Sequence, residues 1–274
     1  MLRALLASPL GFLIGVSLGA LGGGGSILAV PALVYAAGQG AKAATTSSLL
    51  LVGVAALVGA GSHWRAGRVR LGTGAAFGLI GIGGSVAGSA LNRQLDPNVL
   101  LLGFSGLILV AAWRMLVGCP SCTKAGEERE LLVAQQAGTG GLVVEPPLRM
   151  DLGRVLLVLA VGTAVGFLTG LFGVGGGFVI VPALALVLRL PMPEAIGTSL
   201  LVIAINSAEA LSTRLATASI DWAVTAPFAV AAVAGVVVGG RIAGRLDAQK
   251  SLRWFVVLLV AVGAYTAVRA GIAL

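Results

Sequence analysis

The sequence predicts an all-α polytopic membrane protein of about eight transmembrane helices. They form two homologous four-helix repeats, the first helix of each broken at a glycine cluster. Three observations predict this class. Of 274 residues, 58% are hydrophobic and only 10% charged, with a mean hydropathy of +1.04. A soluble domain carries about 25% charged residues, and this chain has too few to cover a core of that size. Apolar runs also repeatedly exceed the roughly 18 residues that mark a membrane span. Finally, the chain repeats itself at one offset, from Pro31 to Pro182 (182 − 31 = 151).

Eight apolar segments follow in order, near 9–37, 43–62, 71–91, 97–117, 153–188, 194–213, 222–240 and 251–272. They read as helices, because a lone segment in lipid must satisfy its own backbone groups. The ten-residue alternation of a barrel strand is nowhere visible. The start, Met1-Leu2-Arg3, runs straight into apolar sequence without a polar cleavage region, and so reads as a first span. The longest polar stretch, Cys119 to Asp151, contains KAGEERE and EPPLRMD. It divides the chain into a first transmembrane repeat (1–118), a polar inter-repeat link (119–151) and a second transmembrane repeat (152–274).

At the offset of 151, Gly11, Gly15, Gly19, Gly22, Gly24, Gly25, Val30, Pro31, Ala32 and Leu33 all meet identical residues. The register continues without a gap through Ser48-Leu49-Leu50, Phe77, Gly84, Asp96 and Phe104. Internal repeats of this kind are common in secondary transporters. An even number of spans per half implies parallel repeats. A re-entrant first segment implies inverted ones, and the sequence leaves both open.

The glycines fall into two kinds. Gly11, Gly15 and Gly19, like Gly162, Gly166 and Gly170, recur every four residues and form a flat strip for a neighbouring helix. That is a packing feature. Gly22, Gly23, Gly24 and Gly25 with Ser26, and Gly173, Gly175, Gly176 and Gly177, are consecutive or nearly so. Each glycine disfavours helix by about 1 kcal/mol relative to alanine, and Pro31 and Pro182 each remove an amide donor. The segments they interrupt exceed the roughly 20 residues needed to span. A break in mid-membrane is therefore expected, buried in protein or lining a wet cavity. Free amides and half-helix starts there suit an anion. The simpler alternative is a kink that only permits tight packing.

A second pair of motifs joins this expected substrate site. Thr46, Ser47 and Ser48 align with the stretch ending Thr198-Ser199, and both precede long apolar runs. Their hydroxyls either cap helix starts or donate to an anion. Asn206 is expected to line the pathway. Glu209, inside the sixth segment, is a candidate for proton coupling, the alternative being a pair with Arg214 near the helix end. His63 is expected at a membrane border beside Trp64, with no ligand role. Cys119 and Cys122 read as incidental, because a zinc site needs four ligands and the one histidine is distant. No metal is expected.

At this point the motifs resemble a known family. "GLFGVGGGFVIVPAL" at 170–184 with "AIGTSLLVI" at 195–203, and "GALGGGGSILAVPAL" with "ATTSSLLLV" in the first half, are similar to the sulfite exporter TauE/SafE family. The resemblance covers almost the whole chain except 119–151. It implies a transporter of sulfite, sulfonates or related anions in the bacterial inner membrane.

Other classes fare worse. No GxxxxGK[ST] motif occurs, so no nucleotide cofactor is expected. No Ser/His/Asp or His/carboxylate cluster marks an enzyme. The net charge of +8 lies in short links, as topology signals do, and no nucleic-acid partner is expected. The expected partners are the bilayer and a small anion. The oligomeric state is not encoded. A multi-pass inner-membrane secondary transporter, with export as its direction, is the reading. An uncoupled anion channel and a membrane protein without transport activity remain alternatives.

Overall fold

The computed structural model describes residues 2–39, 41–92, 94–95, 97–118, 152–172, 177–214, 221–243 and 248–272. Among these residues there are ten α-helices and no strand. The first half contains α1 (Leu2–Leu21), a 3₁₀ turn at Gly22–Gly25, and α2 (Ser26–Pro31) running into a π turn at Ala32–Ala36. Then come α3 (Ala41–Arg65), α4 (Leu71–Asn92) and α5 (Pro97–Gly118). The second half contains α6 (Leu152–Phe172), then α7 (Gly177–Pro182) with a π turn at Ala183–Val187. It ends with α8 (Met192–Arg214), α9 (Trp222–Ala243) and α10 (Ala248–Ile272). The polar link, with Cys119 and Cys122, lies outside the described residues.

Seven of these helices are long and apolar enough to cross a membrane. The eighth expected span falls on α5, a helix of 22 residues whose described apolar stretch is the shorter Leu102–Val117. The outward faces are greasy. Leu13, Leu57, Leu79, Val86, Val110 and Val230 are all more than half exposed, which suits a lipid solvent and not water. Trp64, Trp113, Trp222 and Trp254 are exposed as well. Each lies near a helix end, as aromatic belts do at the membrane interface.

The regular glycine strips explain how the helices meet. α1 lies along α9, and α4 lies along α6. A Cβ added at Gly15 would overlap the Ala232 carbonyl oxygen, and one at Gly19 would overlap that of Val236. The offset equivalents do the same: Gly166 meets the Gly81 carbonyl oxygen and Gly170 that of Ser85. The reciprocal faces are also glycine. Gly235 and Gly239 meet the Phe12 and Val16 carbonyls, while Gly84 and Gly88 meet those of Thr163 and Phe167. Residue numbers rise together in both pairs, so the two helices of each pair run parallel. In the third pairing, Gly53 lies by Ser207, Gly59 by Leu200 and Gly197 by His63, so α3 and α8 run antiparallel.

The segment over 9–37 is broken at the glycine cluster, and the break is a reversal of the chain. A Cβ at Gly25 would lie 2.6 Å from the Ile14 carbonyl oxygen and 2.7 Å from the Leu18 nitrogen. The chain therefore doubles back, and α2 with its π turn packs beside α1. Six α and five π residues reach at most about 16 Å at the α rise, half of the hydrocarbon core. The second half also has a six-residue helix and a five-residue π turn, Gly177–Val187. After each π turn the same bonds close the end. Ala37 N–H donates to Ala32 and Gln39 N–H to Leu33, at 3.2 and 3.0 Å. Leu188 N–H donates to Ala183 and Leu190 N–H to Leu184, also at 3.2 and 3.0 Å. The position between them is left-handed both times, Gly38 in one half (φ 70°) and Arg189 in the other (φ 53°).

Gly166→Ala should destabilise the protein by about 1–3 kcal/mol, the usual range for forced overpacking. Gly61→Ala, where an added Cβ meets nothing within 4 Å, should stay within about 0.5 kcal/mol of wild type. Thermal unfolding of both variants in one detergent checks the contrast.

Candidate functional site

The reversal after α1 begins at Gly22, whose φ is +72°. A side chain there would be strained, and its Cβ would lie 2.6 Å from Ser199 Oγ and 3.1 Å from Val181 Cγ2. The next residue, Gly23, lies with its main chain directly against Gly177, and a Cβ on it would overlap the Gly177 carbonyl. A Cβ on Gly177 would be 2.8 Å from Gly23 Cα and 2.8 Å from Ser26 Oγ. Gly24 backs onto Leu258 and Phe255 of α10. The starts of the half-helices α2 and α7, from opposite halves of the chain, therefore meet backbone to backbone. Gly22 through Gly25, Ser26 and Gly177 are all buried. Gly173, Gly175 and Gly176 lie outside the described residues.

Of the two Ser/Thr motifs, the second reaches this meeting point through Ser199, at Gly22, and neither motif is a helix cap. α3 begins at Ala41 and α8 at Met192, so Thr46–Ser48 and Thr198–Ser199 sit more than a turn inside. Their hydroxyls solve a different problem. Ser48 Oγ donates to the Thr45 carbonyl and Ser199 Oγ to the Ile196 carbonyl, each at 2.8 Å. Ser26 Oγ donates to the Gly23 carbonyl at 2.7 Å. Such back-bonding satisfies a hydroxyl inside a buried helix. Each hydroxyl donates elsewhere only by rotating away from its own carbonyl. Thr46 is buried with them.

Ser47 and Thr198 occupy equivalent positions and are held from outside their helices. Thr225 Oγ1 donates to Ser47 Oγ at 3.0 Å, and Gln39 Nε2 donates to Thr225 Oγ1 at 3.4 Å. The Arg70 backbone N–H donates to Thr198 Oγ1 at 3.1 Å, and its guanidinium pairs with Glu194 at the start of α8. Ser47, Thr198 and Ser199 are 0% exposed, so a solute reaches them only after an opening motion. The side chains at the break are neutral hydroxyls, and Arg70 and Glu194 beside Thr198 are paired with each other.

Two expected site residues lie elsewhere. Asn206 faces Gly81 of α4, and its buried Oδ1 has no hydrogen-bond partner. Seven residues along α8, it stands about 10 Å from Ser199. Glu209 is half-buried further along α8, where Ser212 Oγ donates to its carbonyl at 2.7 Å. It does not join the glycine break. His63 lies in the last turn of α3, and it does not share the exposure of Trp64. Trp64 is 59% exposed, whereas the His63 ring is buried and its Nε2 lies 3.1 Å from the Gly19 carbonyl. The reason is the glycine surfaces around it, at Gly197 and Gly240. The open groove of about 800 Å³ between α4 and α6 is lined by Leu156, Leu159, Phe167 and small residues, away from this centre.

Apolar spanning helices closed around two short helices that start in the protein interior define a multi-pass membrane protein of the transporter class. Residues 7–266 match the family model described as "Sulfite exporter TauE/SafE". A "Probable membrane transporter protein" of Xylella fastidiosa strain Temecula1 is 34% identical over 261 residues, covering 93% of this chain and 91% of that protein. Its counterpart in strain 9a5c is 33% identical over the same shares. One from Haemophilus influenzae, with the same name, is 37% identical over 113 residues, 39% of this chain and 43% of that protein. No solved structure matches the chain. The chain belongs to the sulfite exporter TauE/SafE family.

Gly22→Ala should lower stability by about 1–2 kcal/mol from the left-handed conformation alone, with more from the contact on Ser199 Oγ. Adding Ser199→Ala should restore the contact part and leave the backbone part. A double-mutant cycle on unfolding midpoints separates the two.

Proposed function

We propose that this protein is a secondary transporter, working in export at the inner membrane, for a small anion such as sulfite or a sulfonate. The substrate site is the buried junction of Gly22–Ser26 with Gly177, ringed by Thr46, Ser47, Ser48, Thr198 and Ser199. The observation that carries this reading is the backbone contact of Gly23 on Gly177. It brings the buried turn Gly22–Gly25 and the start of α7 together from both halves, with Ser199 of α8 beside Gly22. The family's printed description supports the substrate class.

The two halves act as inverted repeats. The gap-free offset of 151 supports this, as do the paired glycine contacts and the antiparallel course of the equivalent helices α3 and α8. Alternating access then consists of one half rocking on the other about the junction. Asn206 serves the pathway beyond the junction and not the junction itself. Glu209 is retained as a proton-coupling group to be tested, in second place because it is remote from the break.

The test is uptake and efflux of labelled sulfite, sulfate and methanesulfonate in proteoliposomes, with and without a pH gradient. Saturable flux of one anion is the expected result. Ser199→Ala should raise its half-saturation concentration about tenfold or more, as loss of one hydrogen bond to a charged group is worth about 1.5–3 kcal/mol. Flux that never saturates would favour an uncoupled channel. Wild-type Ser199→Ala kinetics would remove that hydroxyl from the site.

A further inference from the structure

We propose that His63 is a reversible proton-binding site that controls the end of the protein closed by the α3–α4 turn, so that protonation opens the way to Thr198, Ser199 and Gly22. This rests on the transport reading above. The ring is 2% exposed and sits on the last turn of α3. Nε2 is 3.1 Å from the Gly19 carbonyl oxygen, just before the break in α1. Gly197 of α8 packs on its Cβ and Gly240 of α9 lies beside Nε2. A carbonyl only accepts, so in the neutral ring Nε2 carries the hydrogen and Nδ1 a bare lone pair. That Nδ1 is buried and has no partner.

A proton taken up from water at Nδ1 creates a second N–H and a positive charge. In the closed packing this N–H has no acceptor, which is the expensive arrangement for a buried donor. The neighbouring charges do not help. The turn brings Arg68, whose N–H donates to the His63 carbonyl at 2.9 Å and whose own carbonyl packs on Gly197. α3 brings Arg65, and α9 brings Arg241 after Gly240. α8 brings Glu194, already paired with Arg70. α1 brings no charged group between Ser8 and Leu21. Protonation therefore disfavours the closed packing and favours one in which Nδ1–H meets water.

The part that moves is the turn Ala66–Arg70. Its Ala66 and Arg68 N–H groups bond the His63 carbonyl at 3.2 and 2.9 Å. The same turn covers Thr198 through the Arg70 N–H and clasps α8 through Glu194. Loosening it uncovers the residues next to Gly22. The other half lacks this device. At the repeat offset, position 214 is Arg, position 221 is Asp, and Glu194 corresponds to Ala43. The histidine device thus belongs to one mouth, while Glu209 lies toward the other end of α8.

The chain has a single histidine, so ¹⁵N-histidine labelling in liposomes reports one imidazole. The expected result is protonation of the ring as the pH is lowered, with faster deuterium exchange of amides 66–70, after correction for intrinsic rates, once the ring is charged. His63→Gln keeps an N–H for Gly19 and cannot titrate. It should retain sulfite flux and lose the response to a pH gradient. An imidazole that stays neutral throughout would overturn the proposal. Titration without a change at 66–70, or a His63→Gln variant with the wild-type pH profile, would do the same. If the wild type moves none of the three anions, the transport reading falls. The titration and exchange still decide the proton switch, and both use the unaltered chain.

Discussion

Main chain pressed against main chain is the contact on which this structure depends. Lipid tails are as apolar as leucine, so helices in a bilayer gain little from hiding grease and much from close van der Waals packing. Glycine permits that approach along α1 and α9, along α4 and α6, and once more where Gly23 meets Gly177. The last contact differs in kind. The strips join helices that are already complete, while the junction buries turning backbone inside protein, where polar groups outside a helix are tolerated in a membrane. The strips thus create the enclosure that makes the break affordable.

Much of this was legible in the residues. Hydropathy and the offset of 151 located the helices, and the four-residue glycine spacing foretold the close strips. The reversal at Gly22 was not legible, because a kink and a hairpin use the same residues. The contact of Gly25 with Ile14 and Leu18 distinguishes them. The hydroxyl pairs were identified as a group, with capping as one of two readings, and nothing in the string shows that α3 and α8 start a turn earlier, which removes the capping reading. The burial of His63 was not legible, because adjacency to Trp64 in sequence says nothing of which side of the helix each residue faces. The glycines that bury it come from α1, α8 and α9.

The two halves also divide their labour. Backbone geometry is duplicated nearly residue for residue, down to the left-handed position shared by Gly38 and Arg189. Polar side chains at the two ends are not duplicated. One end carries Gln39, Thr225 and Ser47, the other His63, Arg70, Glu194 and Thr198.

The partners in the glycine strips come from opposite halves of the chain, α1 with α9 and α4 with α6. This has a consequence for biosynthesis. Ribosomes deliver roughly 5–20 residues per second, so α1 emerges on the order of 10–40 seconds before its mate. Throughout that interval its notched face, and the bent backbone beyond it, have no native cover. A nascent first half is therefore an unfinished interface rather than a free-standing domain. It needs shelter at the insertion machinery until translation of the second half is nearly complete.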